Sequence, residues 1–388
     1  MGISGTYAYA GGYNTFIPTV DEKAGVSLQV EFSRAPDKFF LNKYTQLQPV
    51  DIESGKYVRL DQNAMARINT ADGGQFVWAD GARRPAANIF QGFDMPAYNC
   101  VRLNFGFELG DLATYHAKKA SGLDLTAVNS RTAAGAAMVQ RTRKALAALS
   151  DTTVMPYINL ATVDWGAKTG YGNLSPMWTA ATAPVGLIAG KYWDAGSQPA
   201  AGQSNTVHGG LSYLRTGVNS ITAMIVAQSN GQVRPKDINV IIGPDTAIAL
   251  AQSTEILDFI KQSVSAQVNL NQDDQYNQYG IPSKMFGVEW IVEDASYISA
   301  YPMGGVGSPV RSWCVPAGTI IFASRPGSIE GSAQSYATCM GFFMEEMTVE
   351  VFDEPKDRLT QGNVVENYDY EIVAPITGCV LTHAITGT

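Results

Sequence analysis

VEVFDEPKDRLTQGNVVENYDYEIVAPITGCVLTHAI, residues 349–385, is the most informative stretch of the chain. Together with the residues just before it, it predicts long antiparallel strands. Met347, Val349 and Val351 share one face of a strand, and Tyr368, Tyr370 and Ile372 share one face of another, the period-2 pattern of a sheet. Gln361-Gly362-Asn363 reads as the turn between them, and a last strand is expected from about Cys379 to Ala384. The hairpin is acidic: Glu345, Glu346, Glu350, Asp353, Glu354, Asp357, Glu366, Asp369 and Glu371 stand against Lys356 and Arg358, a balance of −7. Neighbours such as Glu345-Glu346 and Asp353-Glu354 point to opposite faces of a strand. They suit a solvated or interface edge better than paired acid–base chemistry.

Upstream, residues 156–334 read as α/β. A helix over 210–228 carries Leu211, Leu214, Val218, Ile221 and Ile225 on one stripe. A buried strand at 237–242 is stopped by Gly243-Pro244-Asp245, which starts the next helix. Ser253 or Thr254 caps another helix ending near Val264, and further strands follow at 288–292 and 319–322. The stretches 163–206 and 268–285 read as loops. Farther back, Asp124 caps a helix running to about Leu149, with Leu125, Val128, Thr132, Gly135, Val139, Thr142, Leu146 and Leu149 on one face. Its length is about 37 Å. Arg141, Arg143 and Lys144 lie in its last third, where the helix dipole favours cations.

Residues 101–107 alternate as a half-buried strand. Before them, 57–61 and 75–79 read as the arms of a long hairpin turning at Asp72-Gly73-Gly74. A two-stranded hairpin is marginal alone, so it needs support from the rest of the chain or from a neighbouring copy. Lys56, Arg59, Arg67, Arg83 and Arg84 stand there against Asp61, Asp72 and Asp80, a local +2 in a chain of net charge −8. Residues 1–40 show no periodicity and read as an arm. The expected division is an arm over 1–40, the hairpin and long helix within 41–155, an α/β part over 156–334 and returning strands over 335–388.

Only 16% of residues are charged and 38 are Gly, which suits a surface covered by copies of itself. A net charge of −8 argues against tight DNA binding. Cys100, Cys314, Cys339 and Cys379 are scattered, so no disulfide framework is implied. The start lacks the pattern of a signal peptide and no apolar run suits a membrane span, so a soluble chain made in the cytoplasm is expected. His116 is placed before a helix, His208 in a loop and His383 in a terminal strand, with no zinc-binding pattern. The stretch 186–192 is one residue short of a phosphate loop and has Tyr192 where Ser or Thr would hold magnesium. Gly304-Gly305-Val306-Gly307 reads as a loop, and Asp273-Asp274 lacks calcium-loop spacing. Asn173-Leu174-Ser175 is a glycosylation sequon only on paper. No catalytic residue, cofactor or metal is assigned.

The order of parts (arm, long hairpin, strand, long helix, α/β insertion, returning strands) resembles the Hong Kong 97-type capsid fold of tailed-phage major capsid proteins and encapsulins. RPKD leading into INVIIGPDTAIALAQSTEILDFIK (234–261) is similar to the strand and helices of that family's axial domain, as are GIPSKMFGVEWIVED (280–294) and PAGTIIFAS (316–324) to the strands that follow. The opening stretch is similar to the closing peripheral-domain strands. The resemblance implies an α+β fold with an N-terminal arm, an extended loop, a peripheral domain with a spine helix, and an axial domain. It implies a non-enzymatic subunit that self-assembles as pentamers and hexamers into an icosahedral virion shell around double-stranded DNA, without sequence-specific binding or a membrane. Scaffolding, portal and decoration proteins would be its partners. The extended loop would lie across a neighbouring subunit, setting Arg59, Arg67, Arg83 and Arg84 against Glu346, Glu350, Asp353 and Glu354. Some members crosslink a lysine near the loop tip; here Lys56 lies only at the base and none is near Asp72, which argues against a crosslink. The alternatives are an encapsulin-type compartment, or a soluble enzyme, which would need a converging polar pocket.

Overall fold

The computed structural model describes residues 5–10, 13–18, 39–60, 80, 94–121, 124–162, 164–165, 187, 192–194, 213–229, 231–262, 278–300, 308–330, 335–354 and 356–387. The first half contains β1 (Gly5–Ala10), β2 (Tyr13–Pro18), α1 (Leu41–Tyr44), β3 (Thr45–Pro49), β4 (Ser54–Lys56), β5 (Ala97–Asn99), β6 (Val101–Gly110), α2 (Asp111–Ser121) and α3 (Leu125–Leu149). The middle adds β7 (Tyr157–Asn159), β8 (Asp164–Trp165), α4 (Tyr213–Gln228), β9 (Ile238–Ile242), α5 (Pro244–Ala251) and α6 (Thr254–Gln262). Then come β10 (Lys284–Met285), β11 (Val288–Val292), β12 (Ser296–Ala300), β13 (Val310–Trp313), β14 (Ile320–Ser324), β15 (Ile329–Glu330) and β16 (Ser335–Tyr336). The chain closes with β17 (Cys339–Glu354), β18 (Leu359–Ile372) and β19 (Cys379–Thr382).

Two sheets carry the architecture. One has seven strands in the order β10-β11-β9-β14-β19-β7-β8, with β11–β9 and β19–β7 parallel and the other pairs antiparallel. Its interior strand β9 is buried at every position, as an Ile-Asn-Val-Ile-Ile run requires when both faces are covered. Ile238, Val240 and Ile242 face the core under α4 and α5, whereas Ile241 faces a second core shared with α3. The other sheet has four strands in the order β3-β17-β18-β6, with β3 parallel to β17.

Helix α3 lies on this second sheet. Asp124 starts it by accepting hydrogen bonds from the backbone N–H groups of Thr126 and Ala127, which satisfies two of the donors a helix leaves open at its start. The expected stripe is buried at Gly135, Thr142, Leu146 and Leu149, while Thr132 is exposed and Leu125, Val128 and Val139 are half-buried. Leu146 and Leu149 share a core with Tyr368, Tyr370 and Ile372 of β18.

Several expectations are corrected. Gln361-Gly362-Asn363 is not a turn; it lies inside β18, and the chain reverses between Glu354 and Leu359, with Arg358 at φ 53°. Gly362 is needed for close approach instead. A Cβ there would overlap the Phe107 ring on the paired strand β6. Gly362→Ala therefore forces the Phe107 ring aside and is expected to cost about 1–3 kcal/mol, read as a lower urea midpoint; a smaller residue at 107 in the same chain should return most of it. The last strand β19 joins the seven-stranded sheet rather than the long strands of the tail. His116 lies within α2, not before it. Strands β8 and β10 fall in stretches read as loops, and β1 pairs with β2 in what was read as an arm. Both arms' outer parts and the tip of the expected long hairpin, residues 61–79 and 81–93, lie outside the described residues.

Candidate subunit interface

The root of the hairpin is tied into its own chain. β4 pairs antiparallel with β5, and Arg59 bridges to Asp94 beyond them. The Tyr57 hydroxyl donates to Glu371 Oε2 at 3.0 Å and accepts from Arg59 Nη2 at 2.9 Å. Arg59 Nε donates to the Ile372 carbonyl at 3.2 Å, and the backbone N–H of Leu60 donates to the Val373 carbonyl at 2.8 Å. Phe342 of β17 stacks on Tyr98 and lies 5.3 Å from Tyr57 between ring centroids. The hairpin root thus sits on a small core of its own at the inner ends of β17 and β18. Burial pushes the Glu371 carboxyl above the usual carboxylate range, against the Tyr57 hydrogen bond.

The second part of the site is the outer length of β17. β18 pairs with it from end to end, but β3 covers its other edge only from Cys339 to Phe343. Beyond that point, among the described residues, no strand occupies the edge. Two bulges, between Phe343 and Glu345 and between Glu345 and Thr348, mark where the cover ends. Glu346 within the second bulge, and Glu350, Asp353 and Glu354 past it, are all exposed, together with Val349, Val351 and Phe352. A long bare edge is a template for another chain, and charges along it select the partner. Glu345 meets Arg102 of the same chain, and Asp353 Oδ1 accepts from the Thr360 hydroxyl at 2.9 Å.

Of the residues singled out from sequence, the four acids therefore share one exposed strand. Arg59 does not join a free basic surface: it is buried at the hairpin root. Arg67, Arg83 and Arg84 lie outside the described residues.

Sequence reasoning missed the buried ion pair beneath α3. Arg141 Nε lies 2.6 Å from Glu366 Oε2, and the Glu366 side chain is fully buried. Lys144 stands over the Tyr368 ring at 4.6 Å, and Arg143 over Tyr297 at 4.5 Å. These cations grip sheet side chains besides sitting favourably in the helix dipole. Burial raises the Glu366 pKa even though Arg141 opposes it. The signal was available: Glu366 is in phase with Tyr368 and Tyr370, on the inward face of its strand.

Among the described residues no group of three or more His, Cys, Asp or Glu side chains is arranged to hold a metal ion, and no helix is long and apolar enough to cross a membrane. All four cysteines are free thiols.

No protein-family model matches the sequence, and no curated protein matches it. Solved structures do match in fold. A phage-related protein from Bordetella bronchiseptica RB50 superposes with a TM-score of 0.53 at 11% identity, over 94% of this chain and 98% of that one. The capsid structure of the cyanophage P-SCSP1u superposes with a TM-score of 0.52 at 10% identity, over 91% of this chain and 90% of that one. Both overlaps span more than nine-tenths of this chain, which has the fold of phage capsid proteins.

Proposed function

We propose that the chain is a major capsid protein, a structural subunit that assembles through pentamers and hexamers into an icosahedral shell around a phage genome. The observation that carries the reading is a capsid fold whose longest strand, tied at its inner end to the hairpin root, runs out into an acidic edge that is uncovered among the described residues. The extended loop of one subunit, with Arg67, Arg83 and Arg84, lies along Glu346, Glu350, Asp353 and Glu354 of the next. Repeated heterologous contacts of this kind close into a finite container when the rotation closes. The expected division remains part of this reading: an arm over 1–40, the extended loop and first part of the peripheral domain over 41–155, the axial domain over 156–334 and the closing peripheral strands over 335–388, with β19 assigned to the axial sheet. Scaffolding, portal and decoration proteins are its further partners, synthesis is in the host cytoplasm, and no enzymatic role is assigned. The likeness to a cyanophage capsid and to a phage-related bacterial protein favours a virion over a cellular compartment.

Size-exclusion chromatography followed by negative-stain electron microscopy tests the shell. Shells, tubes or discrete pentamers and hexamers are expected; a monodisperse monomer or dimer, even with a candidate scaffolding protein added, refutes it. Within that test, Arg83→Glu with Arg84→Glu should lower shell yield severalfold. Each exposed pair is worth only about 0–1 kcal/mol, but the loss is repeated at every contact of the shell. Unchanged yield would remove the loop-on-strand contact and leave the shell itself standing.

A further inference from the structure

One feature that the shell reading does not use is a cavity of about 720 Å³ at the β10–β11 end of the seven-stranded sheet. Arg215, Lys236, Lys284 and Arg325 line it against Asp237 and Glu289, four cations to two carboxylates, in a chain of net charge −8. Glu289 is already engaged by Arg325 at 2.8 Å and by Lys43 at 3.2 Å. Among the described residues, Lys236 and Lys284 have no carboxylate within ion-pair distance.

The apolar wall is formed by an unusual turn. Met285 pairs with Val288, so Phe286 and Gly287 are the two central residues of a tight hairpin, at φ 56° and 83°. Asn or Gly is the normal occupant of the first position, and a bulky side chain at positive φ is strained. Strain of this sort is held where the side chain is wanted. Here it sets the Phe286 ring in the cavity wall, 5.4 Å from Phe259 and under the Arg215 guanidinium at 5.9 Å.

We propose that this cavity binds an acidic peptide segment of a partner protein, with carboxylates on Lys236 and Lys284 and an apolar side chain against Phe286 and Met285. A nucleic acid fits the cavity less well. Phe286 already has a cation over its ring and Phe259 beside it, which hinders base stacking, and the Asp237 carboxylate can accept a peptide N–H group, a donor that a phosphate backbone lacks. The inference is independent of the shell reading, because the experiment reads a ligand and not a particle.

The test is fluorescence anisotropy of a short fluorescein-labelled peptide rich in Glu and Leu, titrated with the full-length protein, with a Gln-for-Glu peptide and a single-stranded oligonucleotide as parallel probes. The acidic peptide should bind best. Lys236→Glu with Lys284→Glu should weaken it roughly tenfold or more. Phe286→Asn should weaken it too while leaving the protein as stable or more stable, since Asn suits the turn. Stability that rises while affinity falls separates a binding role from a folding defect. Equal affinity for the Gln peptide, tighter binding of the oligonucleotide, or affinity unchanged in both variants overturns the proposal.

Discussion

Arg141→Ala should destabilise the subunit by about 3–5 kcal/mol. The Glu366 carboxylate is fully buried and its Oε2 atom lies 2.6 Å from Arg141 Nε. Removing the guanidinium leaves a charge in the core between α3 and β18, with Lys144 directed at the Tyr368 ring rather than at the acid. The loss should depend on pH in a defined direction. Burial already raises the Glu366 pKa in the intact protein, and without Arg141 it rises further. A carboxyl whose folded pKa lies above its unfolded value contributes stability that is present in full at low pH and lost as pH rises through the folded pKa. The deficit of Arg141→Ala, measured by urea unfolding of dissociated subunits, should therefore be largest near neutrality and shrink toward the ordinary carboxylate value of 4.5. Replacing both partners, Arg141→Met with Glu366→Leu, should recover most of the stability, because two apolar side chains leave no orphaned charge. A deficit below about 1 kcal/mol at neutral pH would mean that the pair is not the brace its burial implies.

Trp193→Ala should cost about 3–5 kcal/mol. Its indole is wholly buried in the core beneath α4, edge-on to Phe322, and its backbone N–H donates to the Ala384 carbonyl at 2.8 Å. It rests directly on Gly217 of α4, where a Cβ would fall 2.5 Å from the indole ring. That contact makes the prediction specific. Gly217→Ala alone should destabilise by crowding the ring, but in the Trp193→Ala background the added methyl enters vacated space and should be tolerated, so the two changes must be strongly non-additive. Additive losses in thermal melts would show that the indole and the helix do not meet as described.

What the sequence made legible was what nearby residues decide. Asp124 and the stripe that follows it specify α3 within one residue, because cap and periodicity are local. β9 was legible because an apolar run stopped by Gly243 and Pro244 has few other readings. Gly362 was misread for the complementary reason: a glycine between Gln361 and Asn363 has turn chemistry locally, but the ring that requires it, Phe107, is far away in sequence. Trp193 was hidden in a stretch whose Gly, Ala and Pro content says loop, since composition cannot reveal that one residue pegs that loop into a core. At the interface, the acid count of the tail overstated the exposed charge. Glu366 is neutralised inside, Glu371 is held by Tyr57, and Asp369 accepts the backbone N–H of Asn99. The four acids expected at the contact are those left on the outer part of β17.

That outer part also governs how the free subunit behaves in a tube. Its apolar residues Val349, Val351 and Phe352 are interspersed with acids on a strand whose outer edge, among the described residues, lacks a neighbour. Repulsion between like-charged edges is then what keeps separate copies apart, and salt screens it over a length of about 8–10 Å. The folding free energy, which rests on the two inner cores, is largely indifferent to that screening. Colloidal solubility and conformational stability are therefore set by different residues in this molecule, and a buffer chosen to protect one does nothing for the other.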